Sequence, residues 1–541
     1  TVIDMRLWNG WGNENSELSM TLNSGLKMLL GALVGPSISL PEASLKAVIA
    51  TVPASRLDSH PLISVDAETR VRHARGQSLP DWLAMHSGDI GTFPDGVSMP
   101  ESSQEVRELL KHAADNNIEV IPYGGGTSVV GHINPDASQR PVLTIDMGKM
   151  NKLIKLDRDS QLATFGAGTQ GPEIEAQLKA EGFTLGHYPQ SWELSTVGGW
   201  VASRSSGQQS LHYGRIEALF AGGSMETLAG TLEIPTIPAS SAGPDIREIV
   251  LGSEGRMGII TEVVVRVTAL PESEAFKVVF FPSWDSGLRV AKALVQQRVP
   301  LSMVRLSNPM ETTSLLYMGA GEDSSGVATL EASLAERGIG AGKVMMTIGV
   351  TGSHASCAFA TDSALAICDA HGGVPDQLGL GDNWAHGRFR APYLRDPLGR
   401  AGYAVDTMET ALDWSKVTQA VEDIEKAIRT GLSDEGEQVH AYTHLSHVYG
   451  QGSSIYTTYV FRFGDSYDQA LHRWRTLKSA GAKQIVASGG TISHQHGVGK
   501  DHRNYLPAEK GPLGIAAIAS LCELFDPEGQ MNPGKLLPDN D

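Results

Sequence analysis

The chain is poor in cysteine, carries no excess of positive charge and contains no long hydrophobic run, and each shortage excludes a class of protein. Its three cysteines, Cys357, Cys368 and Cys522, are scattered and form no CxxC pair. The sequence therefore predicts neither a disulfide framework nor a cysteine metal site, and a reducing compartment fits it. The net charge of −18 argues against nucleic acid as a partner and against a polybasic membrane patch.

The longest apolar run near the N-terminus, residues 28–34, is too short to span a bilayer. The sequence leaves open whether a targeting segment precedes Thr1. A length of 541 residues is too great for one hydrophobic core, so two or three domains are expected. The 60 glycines exceed average usage and predict many turns with special backbone angles.

The pattern along the chain predicts an α+β protein in four regions. These are an irregular N-terminal region with short helices at 1–90, alternating strands and helices at 91–271, a second domain at 272–465 and a C-terminal segment at 466–541. The region at 91–271 includes a helix at 102–116 and a strand at 259–267, and the C-terminal segment begins with a helix at 466–480. The second domain contains two β-α-β units, with strands at 278–281, 301–306 and 343–350 and helices at 284–297 and 358–371. Such units suggest a domain of ferredoxin-like character.

A glycine-rich loop at residues 122–128, Pro-Tyr-Gly-Gly-Gly-Thr-Ser, follows a short apolar strand. Glycines allow positive φ, so several backbone N–H groups can point into one concavity that suits a phosphate or pyrophosphate. Thr127 and Ser128 add hydroxyl donors. No Gly-Lys-Ser/Thr follows and the spacing is not G-x-G-x-x-G, which excludes a Walker loop and a dinucleotide fold. A plain glycine-rich turn is the alternative.

Two further segments share the same chemistry. Residues 186–200 combine small hydroxyl side chains with paired glycines, so the backbone can lie flat against a ring and hydrogen-bond its edge. Residues 252–262 join a glycine-rich turn to a β-branched strand whose backbone can pair with a heterocycle.

In this order and spacing, the three segments resemble the vanillyl-alcohol-oxidase, or PCMH-type, FAD-binding domain. The resemblance implies that 122–128 lies on the FAD pyrophosphate, 191–199 on the isoalloxazine and ribityl chain, and 252–260 on the ring and adenine side. The residues implied to bind FAD are Pro122, Gly124, Gly125, Gly126, Thr127, Ser128, Ser191, Ser195, Thr196, Gly198, Gly199, Ser203, Glu254, Gly255, Gly258 and Ile260. Some family members attach FAD through a histidine in the first loop. Thr127 and Ser128 stand there instead, so non-covalent FAD is expected.

The C-terminal segment contains Ser-His-Gln-His-Gly-Val-Gly-Lys at residues 493–500. His494 and His496 are two apart, so on an extended backbone they face the same side. They can be a structural hydrogen-bonding pair or active-site groups that move protons or contact a phosphate. As a third alternative, the two histidines can form half of a metal site that His440, His444 or His447 completes. The flanking glycines and Lys500 favour the active-site reading.

This segment, Trp-Asn-Gly-Trp-Gly at 8–12 and Ser-Thr-Val-Gly-Gly-Trp at 195–200 together resemble the alkyldihydroxyacetonephosphate synthase family. The similarity runs from Trp8 to the end of the chain. It implies a ferredoxin-like α+β cap above the FAD-binding domain, with the C-terminal segment returning to the FAD site.

Site residues are carried over from that family by position. The resemblance implies that Arg305 supports the flavin site, that Arg395 lies near flavin N5 and can fix a carboxylate or phosphate, and that Tyr456 is the acid/base group. Thr407 stands where the family has serine, and His494 and His496 match the outer two of three histidines. Gln495 replaces the middle histidine, Tyr188-Pro189-Gln190 replaces Glu-Pro-Asp, and residues 381–403 are only loosely similar. Without the family resemblance, the default interpretation of Arg395 is a surface salt bridge. That of Tyr456 is a buried tyrosine in a strand.

Alternation along the strand at 454–463 places Tyr456 opposite Ile455 and Thr457, facing the flavin. Arg395 or a protonated histidine is expected to lower the pKa of its phenol.

The resemblance implies exchange of the acyl group of acyl-dihydroxyacetone phosphate for a fatty alcohol, as in ether lipid synthesis. The flavin N5 then bonds the substrate carbon without net redox change. The alternative is an FAD-dependent dehydrogenase or oxidase of a 2-hydroxy acid such as D-lactate or 2-hydroxyglutarate, with His494 and His496 as base or metal ligands and Arg395 on the carboxylate.

Other expectations are a phosphate-bearing lipid-like substrate, a homodimer and peripheral membrane contact. The expected location is the cytoplasm or a membrane surface, and the peroxisome if the source is eukaryotic.

Overall fold

The computed structural model describes residues 6–14, 16, 20–320, 323 and 325–539, so positions 1–5, 15 and 17–19 of the predicted N-terminal region lie outside the described residues. The N-terminal region forms short helices, as predicted, and a short strand. Its elements are α1 (Ser24–Leu33), α2 (Leu45–Ile49), β1 (Ile63–Ser64), α3 (Ala67–Arg72) and α4 (Leu79–Ser87).

The next region alternates strands and helices. Its elements are β2 (Gly96–Ser98), α5 (Ser103–Asp115), β3 (Glu119–Tyr123), β4 (Val142–Asp146), β5 (Leu153–Asp157), β6 (Leu162–Gly166), α6 (Gly171–Lys179), β7 (Phe183–Thr184), α7 (Val197–Ser203), α8 (Ser210–Tyr213), α9 (Ile216–Leu219), β8 (Phe220–Thr227), β9 (Gly230–Ile234), α10 (Arg247–Val250), β10 (Ile259–Arg266) and β11 (Thr268–Ala269). The predicted helix at 102–116 is α5. Ser102 caps it by accepting a hydrogen bond from the Glu105 N–H at 3.2 Å.

Two sheets organise this region. The smaller has the order β1-β2-β4-β3, with β2, β4 and β3 parallel, and it buries one face against α5. The larger is antiparallel, in the order β5-β6-β10-β8-β9. The C-terminal chain extends the smaller sheet, because the Val120 N–H donates to the Gln530 carbonyl and the Asn532 N–H to the Val120 carbonyl, both at 2.8 Å.

The chain from Ser273 onward builds a second sheet system. Its elements are β12 (Ser273–Phe281), α11 (Trp284–Gln296), β13 (Met303–Ser307), α12 (Pro309–Gly319), α13 (Ser325–Glu336), β14 (Val344–Gly352), α14 (His354–Ala370), β15 (Val374–Pro375), α15 (Leu380–Gly387), α16 (Arg395–Arg400), β16 (Tyr403–Asp413), α17 (Trp414–Arg429), β17 (His440–Leu445) and β18 (Gly452–Arg462).

These strands form one antiparallel sheet in the order β15-β12-β14-β13-β17-β18-β16, called the cap sheet below. Strand β14 lies between β12 and β13, which α11 connects. This is the arrangement of a ferredoxin-like fold. The α+β class and the ferredoxin-like character are confirmed. Strand β18 likewise lies between β17 and β16, which α17 connects. This second unit was not predicted.

Two long helices end the chain, α18 (Tyr467–Ala487) and α19 (Leu506–Phe525). The helix predicted at 466–480 is too short, because Gly481 does not end it. A Cβ on Gly481 would lie 2.2 Å from the Met408 sulfur, so glycine is required there for close packing. Among the described residues no helix combines the length and hydrophobicity needed to cross a membrane. Cys357, Cys368 and Cys522 are free thiols.

Candidate active site

A cavity of about 1170 Å³ lies between the two sheet systems. Every residue implied to bind FAD lines it: Pro122, Gly124, Gly125, Gly126, Thr127, Ser128, Ser191, Ser195, Thr196, Gly198, Gly199, Ser203, Glu254, Gly255, Gly258 and Ile260. Of the residues predicted to act in the reaction, Arg305, Arg395, Thr407, Tyr456 and His496 also line it, whereas His494 does not. Folding thus brings together segments that are more than three hundred residues apart in sequence.

The 122–128 loop has the free donors that a pyrophosphate needs. No acceptor in the described part of the chain receives a hydrogen bond from the backbone N–H groups of residues 124–128. Since buried N–H groups are normally paired, a run of free donors facing a cavity fits an anionic ligand such as the FAD pyrophosphate.

The reason for the glycines differs from the prediction. Within the triplet, positive φ occurs at Gly126 alone, at 67°. At Gly125 a Cβ would lie 2.0 Å from the Leu194 carbonyl oxygen, and at Gly124 it would lie 2.4 Å from the Thr196 hydroxyl. Two of the three glycines therefore allow the second segment to approach the loop.

The hydroxyl groups of the second segment are partly occupied by one another. Ser195 Oγ accepts from Trp200 Nε1 at 2.7 Å and from Ser191 Oγ at 3.0 Å. Thr196 caps α7 by accepting from the Gly199 N–H at 3.3 Å. Both Ser195 and Thr196 keep a hydroxyl hydrogen that can be donated to a ligand.

The carboxylate of Glu254 makes its hydrogen bonds within the protein. The carboxylate accepts from the Val498 N–H at 3.0 Å and the Gly499 N–H at 2.8 Å, and it makes a short contact with His132 Nε2. His132 Nδ1 lies 2.7 Å from Ser128 Oγ. The carboxylate therefore links the 122–128 loop to the C-terminal segment, and the cofactor contact of Glu254 stays a prediction.

A second buried carboxylate, Glu409 on β16, holds the histidine segment from the other side. It accepts from the N–H groups of Gln495 and His496, each at 3.0 Å, from the N–H of His494, and from Ser493 Oγ at 2.7 Å. The sequence analysis missed both Glu409 and His132. An acidic residue in a run of strand-forming residues, which also contains Asp406, was the available signal for Glu409.

His494 and His496 do not face the same side, and that expectation is wrong. The segment is a turn fixed by two carboxylates, so the alternation of an extended strand does not apply. His494 is buried, and its Nε2 lies 2.7 Å from the Tyr449 hydroxyl and 2.8 Å from Arg215 Nη1. Burial lowers the pKa of His494 far below its usual value. It has the structural role that was the alternative reading.

The histidines proposed as additional metal ligands have other partners. His440 Nε2 lies 3.0 Å from Ser314 Oγ, His444 Nδ1 lies 2.8 Å from Glu311 Oε1, and the His447 ring contacts the His494 ring at 4.9 Å. Within the described ranges, no three His, Cys, Asp or Glu side chains are grouped so that they could hold a metal ion.

Tyr456 faces the cavity, as the alternation on β18 predicts, whereas Ile455 and Thr457 are buried on the other side. Its cross-strand neighbours are Glu409 and His444. The His444 ring stacks on it at 4.8 Å and the His496 ring meets it edge-on at 5.7 Å. Tyr456 is thus held between two imidazoles.

The predicted direction of the Tyr456 pKa is wrong. Burial raises the pKa of Tyr456 to about 12, and the carboxylates of Glu409 and Asp406 add to the increase. A hydrogen bond with Thr407 and the charge of Arg395 act in the opposite direction but are too weak to reverse it. The phenol therefore keeps its proton at neutral pH.

Arg305 is part of a buried ion pair. Its Nη2 lies 3.0 Å from Glu311 Oε1, which also contacts His444 Nδ1. Burial alone would raise the pKa of Glu311, but His444 and Arg305 lower it to about 2. Burial and Arg305 lower the pKa of His444. The charges that remain at neutral pH are those of Arg305 and Glu311, and they fix the ring beneath Tyr456.

Arg395 is not a surface salt bridge. It begins α16, donates from Nη1 to the Gln77 carbonyl and lies 3.6 Å from Asp406 Oδ1 through Nη2. Its Nε is buried, with no hydrogen-bond partner in the described residues. The cation is held in place and keeps one N–H donor without a partner among the described residues.

The tryptophan-glycine cluster at residues 8–12 supports the neighbour of Arg395. The Trp11 N–H donates to Asp396 Oδ2 at 3.3 Å, and Trp82 Nε1 donates to Asp396 Oδ1 at 2.8 Å. A Cβ on Gly10 would lie 2.5 Å from Asp396 Oδ2, so only glycine allows this approach. The cluster thus fixes the start of α16 at the cavity.

The rest of the cavity wall is largely apolar. It is formed by α12, α13 and the chain around α15, with Leu315, Leu316, Val327, Leu330 and Leu378. This arm is continuous with the space around Tyr456 and can hold a hydrocarbon chain.

Comparisons with known proteins agree with this arrangement. The FAD binding domain matches residues 94–233, and the C-terminal domain of FAD linked oxidases matches residues 270–536. Alkyldihydroxyacetonephosphate synthase of Dictyostelium discoideum is 30% identical, over 98% of this chain and 93% of the relative. The synthase of Trypanosoma brucei brucei is 29% identical, over 88% of this chain and 78% of the relative. A solved alkyldihydroxyacetonephosphate synthase structure is similar, with a TM-score of 0.83 and 26% identity, over 98% of this chain and 99% of that one.

Proposed function

The chain belongs to the alkyldihydroxyacetonephosphate synthase family of FAD-dependent enzymes, and from this membership we propose that it exchanges the acyl group of acyl-dihydroxyacetone phosphate for a fatty alcohol. The alcohol oxygen becomes the ether oxygen and the acyl group leaves as a fatty acid, so the exchange involves no net oxidation. The observation that carries the proposal is the continuous cavity, in which FAD-binding segments, an acid/base cluster and an apolar arm meet. When bound, FAD supplies the covalent chemistry of the exchange.

The protein's own groups suit the proton transfers. Burial lowers the pKa of His496, so its imidazole is neutral at pH 7 and can accept a proton. Tyr456, with its pKa raised to about 12, is a protonated phenol and can donate one. We therefore assign His496 as the base and Tyr456 as the acid, in place of a phenolate base.

Arg395 supplies the cation for the leaving carboxylate. Its contact with Asp406 on β16, the strand next to Tyr456, supports this assignment. A guanidinium fixed by Gln77 and Asp406 loses little conformational entropy when it binds a carboxylate. The apolar arm excludes water and accepts the alkyl chains.

The test uses the FAD-loaded protein with palmitoyl-dihydroxyacetone phosphate and hexadecanol. Mass spectrometry should detect hexadecyl-dihydroxyacetone phosphate and an equal amount of palmitic acid. No ether product, together with bleaching of the flavin band by D-lactate or 2-hydroxyglutarate without oxygen, would show that the 2-hydroxy-acid alternative is correct. The homodimer, the membrane contact and the compartment stay predictions.

A further inference from the structure

One corner of the cavity presents an arginine that has no counter-ion among the described residues. Arg388, Gln190 and Gln208 all line the cavity and are called the Arg388 corner here. Gln208 joins the two sides, since its backbone N–H donates to the Tyr188 carbonyl and its Nε2 donates to the Arg388 carbonyl, both at 3.0 Å. The corner thus forms where the flavin-side segment meets the chain after α15.

Aromatic rings hold the Arg388 guanidinium in place. Its central carbon lies 4.6 Å from the centre of the Tyr188 ring and 5.0 Å from that of Phe389. Phe389 in turn stacks on Trp192 at 4.8 Å. Such contacts orient a cation and leave its N–H groups free for a ligand.

The guanidinium makes no hydrogen bond or ion pair with any residue that the structure describes, and its Nη1 is buried. Arg305 and Arg395, by contrast, have Glu311 and Asp406 as partners. The carboxylate of Glu175 acts on Arg388 only through space, because it accepts hydrogen bonds from Thr184 Oγ1 and the Leu185 N–H. Arg388 is therefore a half-buried positive charge that no described carboxylate contacts directly, which favours an anionic ligand.

Two amide groups complete the corner. The Oε1 atoms of Gln190 and Gln208 are buried without a hydrogen-bond partner in the described residues. At positions 188 and 190, where the family resemblance implies acidic side chains, this chain has a tyrosine and a glutamine. No carboxylate from that segment neutralises Arg388, and the two amide oxygens can accept hydrogen bonds from O–H groups of a ligand.

We propose that the Arg388 corner binds the phosphate group of the substrate, a phosphate monoester. The inference rests on the proposed function for the substrate, and it assigns the two anionic groups to two arginines. Arg395 pairs with Asp406 on β16, the strand beside Tyr456, so we assign it to the carboxylate that leaves at the reacting carbon. Arg388 contacts the rings of Tyr188 and Phe389 instead, so we assign it to the other charged end of the substrate. Its forked guanidinium matches a phosphate.

The experiment measures binding of glycerol 3-phosphate, a non-reacting phosphate monoester, to the FAD-loaded protein by calorimetry, with glycerol as the phosphate-free probe. Arg388→Met should weaken glycerol 3-phosphate binding roughly 10-fold to 100-fold, as expected for a lost charged hydrogen bond. It should raise KM for acyl-dihydroxyacetone phosphate by a similar factor with little change in kcat. Arg388→Lys should fall between, because it keeps the charge without the fork. Arg475→Met, at an exposed position on α18, is the matched control and should bind normally.

Wild-type affinity for glycerol 3-phosphate in Arg388→Met, or no binding by the wild type, would overturn the inference. Different results would contradict the Arg388 site and the proposed function. If the wild type makes the ether and Arg388→Met leaves KM unchanged, the function stands and the Arg388 assignment fails. If no ether forms but glycerol 3-phosphate binding depends on Arg388, the phosphate site stands and the function fails.

Discussion

Two glycine-rich loops face the same cavity and differ in what their backbone N–H groups bind. In the 122–128 loop, the N–H groups of residues 124–128 donate to no acceptor in the described chain. In the 493–499 loop, Glu409 and Glu254 accept hydrogen bonds from the N–H groups of residues 494–496 and 498–499. Similar composition therefore produces opposite electrostatics.

The difference explains the part that each loop plays. Free N–H groups make a site for an external anion, which for the 122–128 loop we expect to be the FAD pyrophosphate. Where the protein's own carboxylates occupy the N–H groups, the backbone is fixed and the side chains act. The 493–499 loop thus presents His496 at a defined position beside Tyr456, with the ring centroids 5.7 Å apart.

Glu409→Gln tests the contrast between the two loops and is expected to have the largest effect. The amide keeps the shape of the carboxylate but turns an NH₂ group toward backbone N–H donors. We expect the free energy of unfolding to fall by about 3 kcal/mol or more. We also expect turnover to fall more than roughly 100-fold because His496 is misplaced. Thermal unfolding and ether formation measure the two effects.

Glu425→Gln is the matched control for this prediction. Glu425 is also buried and accepts hydrogen bonds from Asn308 Nδ2 and Thr443 Oγ1, both at 2.7 Å, but on the opposite face of the cap sheet. It should lose stability and keep its turnover. Equal turnover in both variants would show that Glu409 does not position the loop.

Tyr456→Phe tests the group that the 493–499 loop serves. The substitution keeps the ring between His444 and His496 and removes the proton that we assign to the acid. Turnover should fall roughly 10²-fold, with FAD fully bound. Tyr403→Phe, which loses a hydroxyl contact with Gly35, is the control. Turnover near wild type in Tyr456→Phe would leave Tyr456 as a packing residue.

Gly126→Ala tests the 122–128 loop instead. Gly126 has a φ of 67°, and a Cβ there would lie 2.1 Å from the Tyr123 hydroxyl oxygen. FAD binding should weaken by roughly 10-fold or more, since the loop must move away from its ligand. Fluorescence titration of the apoprotein with FAD measures the change. Gly182→Ala, with a φ of 85° and no atom within 4 Å of the added Cβ, should bind FAD normally. Equal losses would point to backbone strain alone.

Sequence reasoning found most of the cavity because loop composition and order carry that information. The strand at 259–267, the helix at 102–116 and the ferredoxin-like units follow from hydrophobic period and capping residues. The three flavin segments follow from glycines and hydroxyls in a fixed order. These are local patterns, and a local pattern is visible before folding.

The partners of the 493–499 loop were not visible in this way. Glu409 and Glu254 are far from it in sequence, and each reads alone as an ordinary acidic residue. The pKa of Tyr456 depends on burial, which the sequence predicts poorly for one side chain. His494 was misassigned because alternation assumes an extended strand, and carboxylates at the loop's own backbone prevent one.

The dependence of turnover on pH sharpens the account of the 493–499 loop. A lowered pKa keeps His496 neutral below its usual titration range, and a pKa of about 12 keeps Tyr456 protonated. Turnover should therefore stay level from about pH 7 to about pH 10 and decline only on the acid side, below about pH 6.5. Initial rates in overlapping buffers measure the profile. A decline near pH 8 would contradict the raised pKa of Tyr456.

The smallest effect is expected where the two loops are joined, at His132. Both of its ring nitrogens are engaged, Nδ1 with Ser128 at 2.7 Å and Nε2 with Glu254, and Thr127 and Ser128 offer no imidazole. FAD should therefore be bound without a covalent link, and acid precipitation should release all of the yellow colour into the supernatant. His132→Asn should release it equally, while binding FAD about 5-fold more weakly through the loss of one hydrogen bond. Colour that stays with the wild-type pellet and leaves it in His132→Asn would show that the ring is bonded to the flavin.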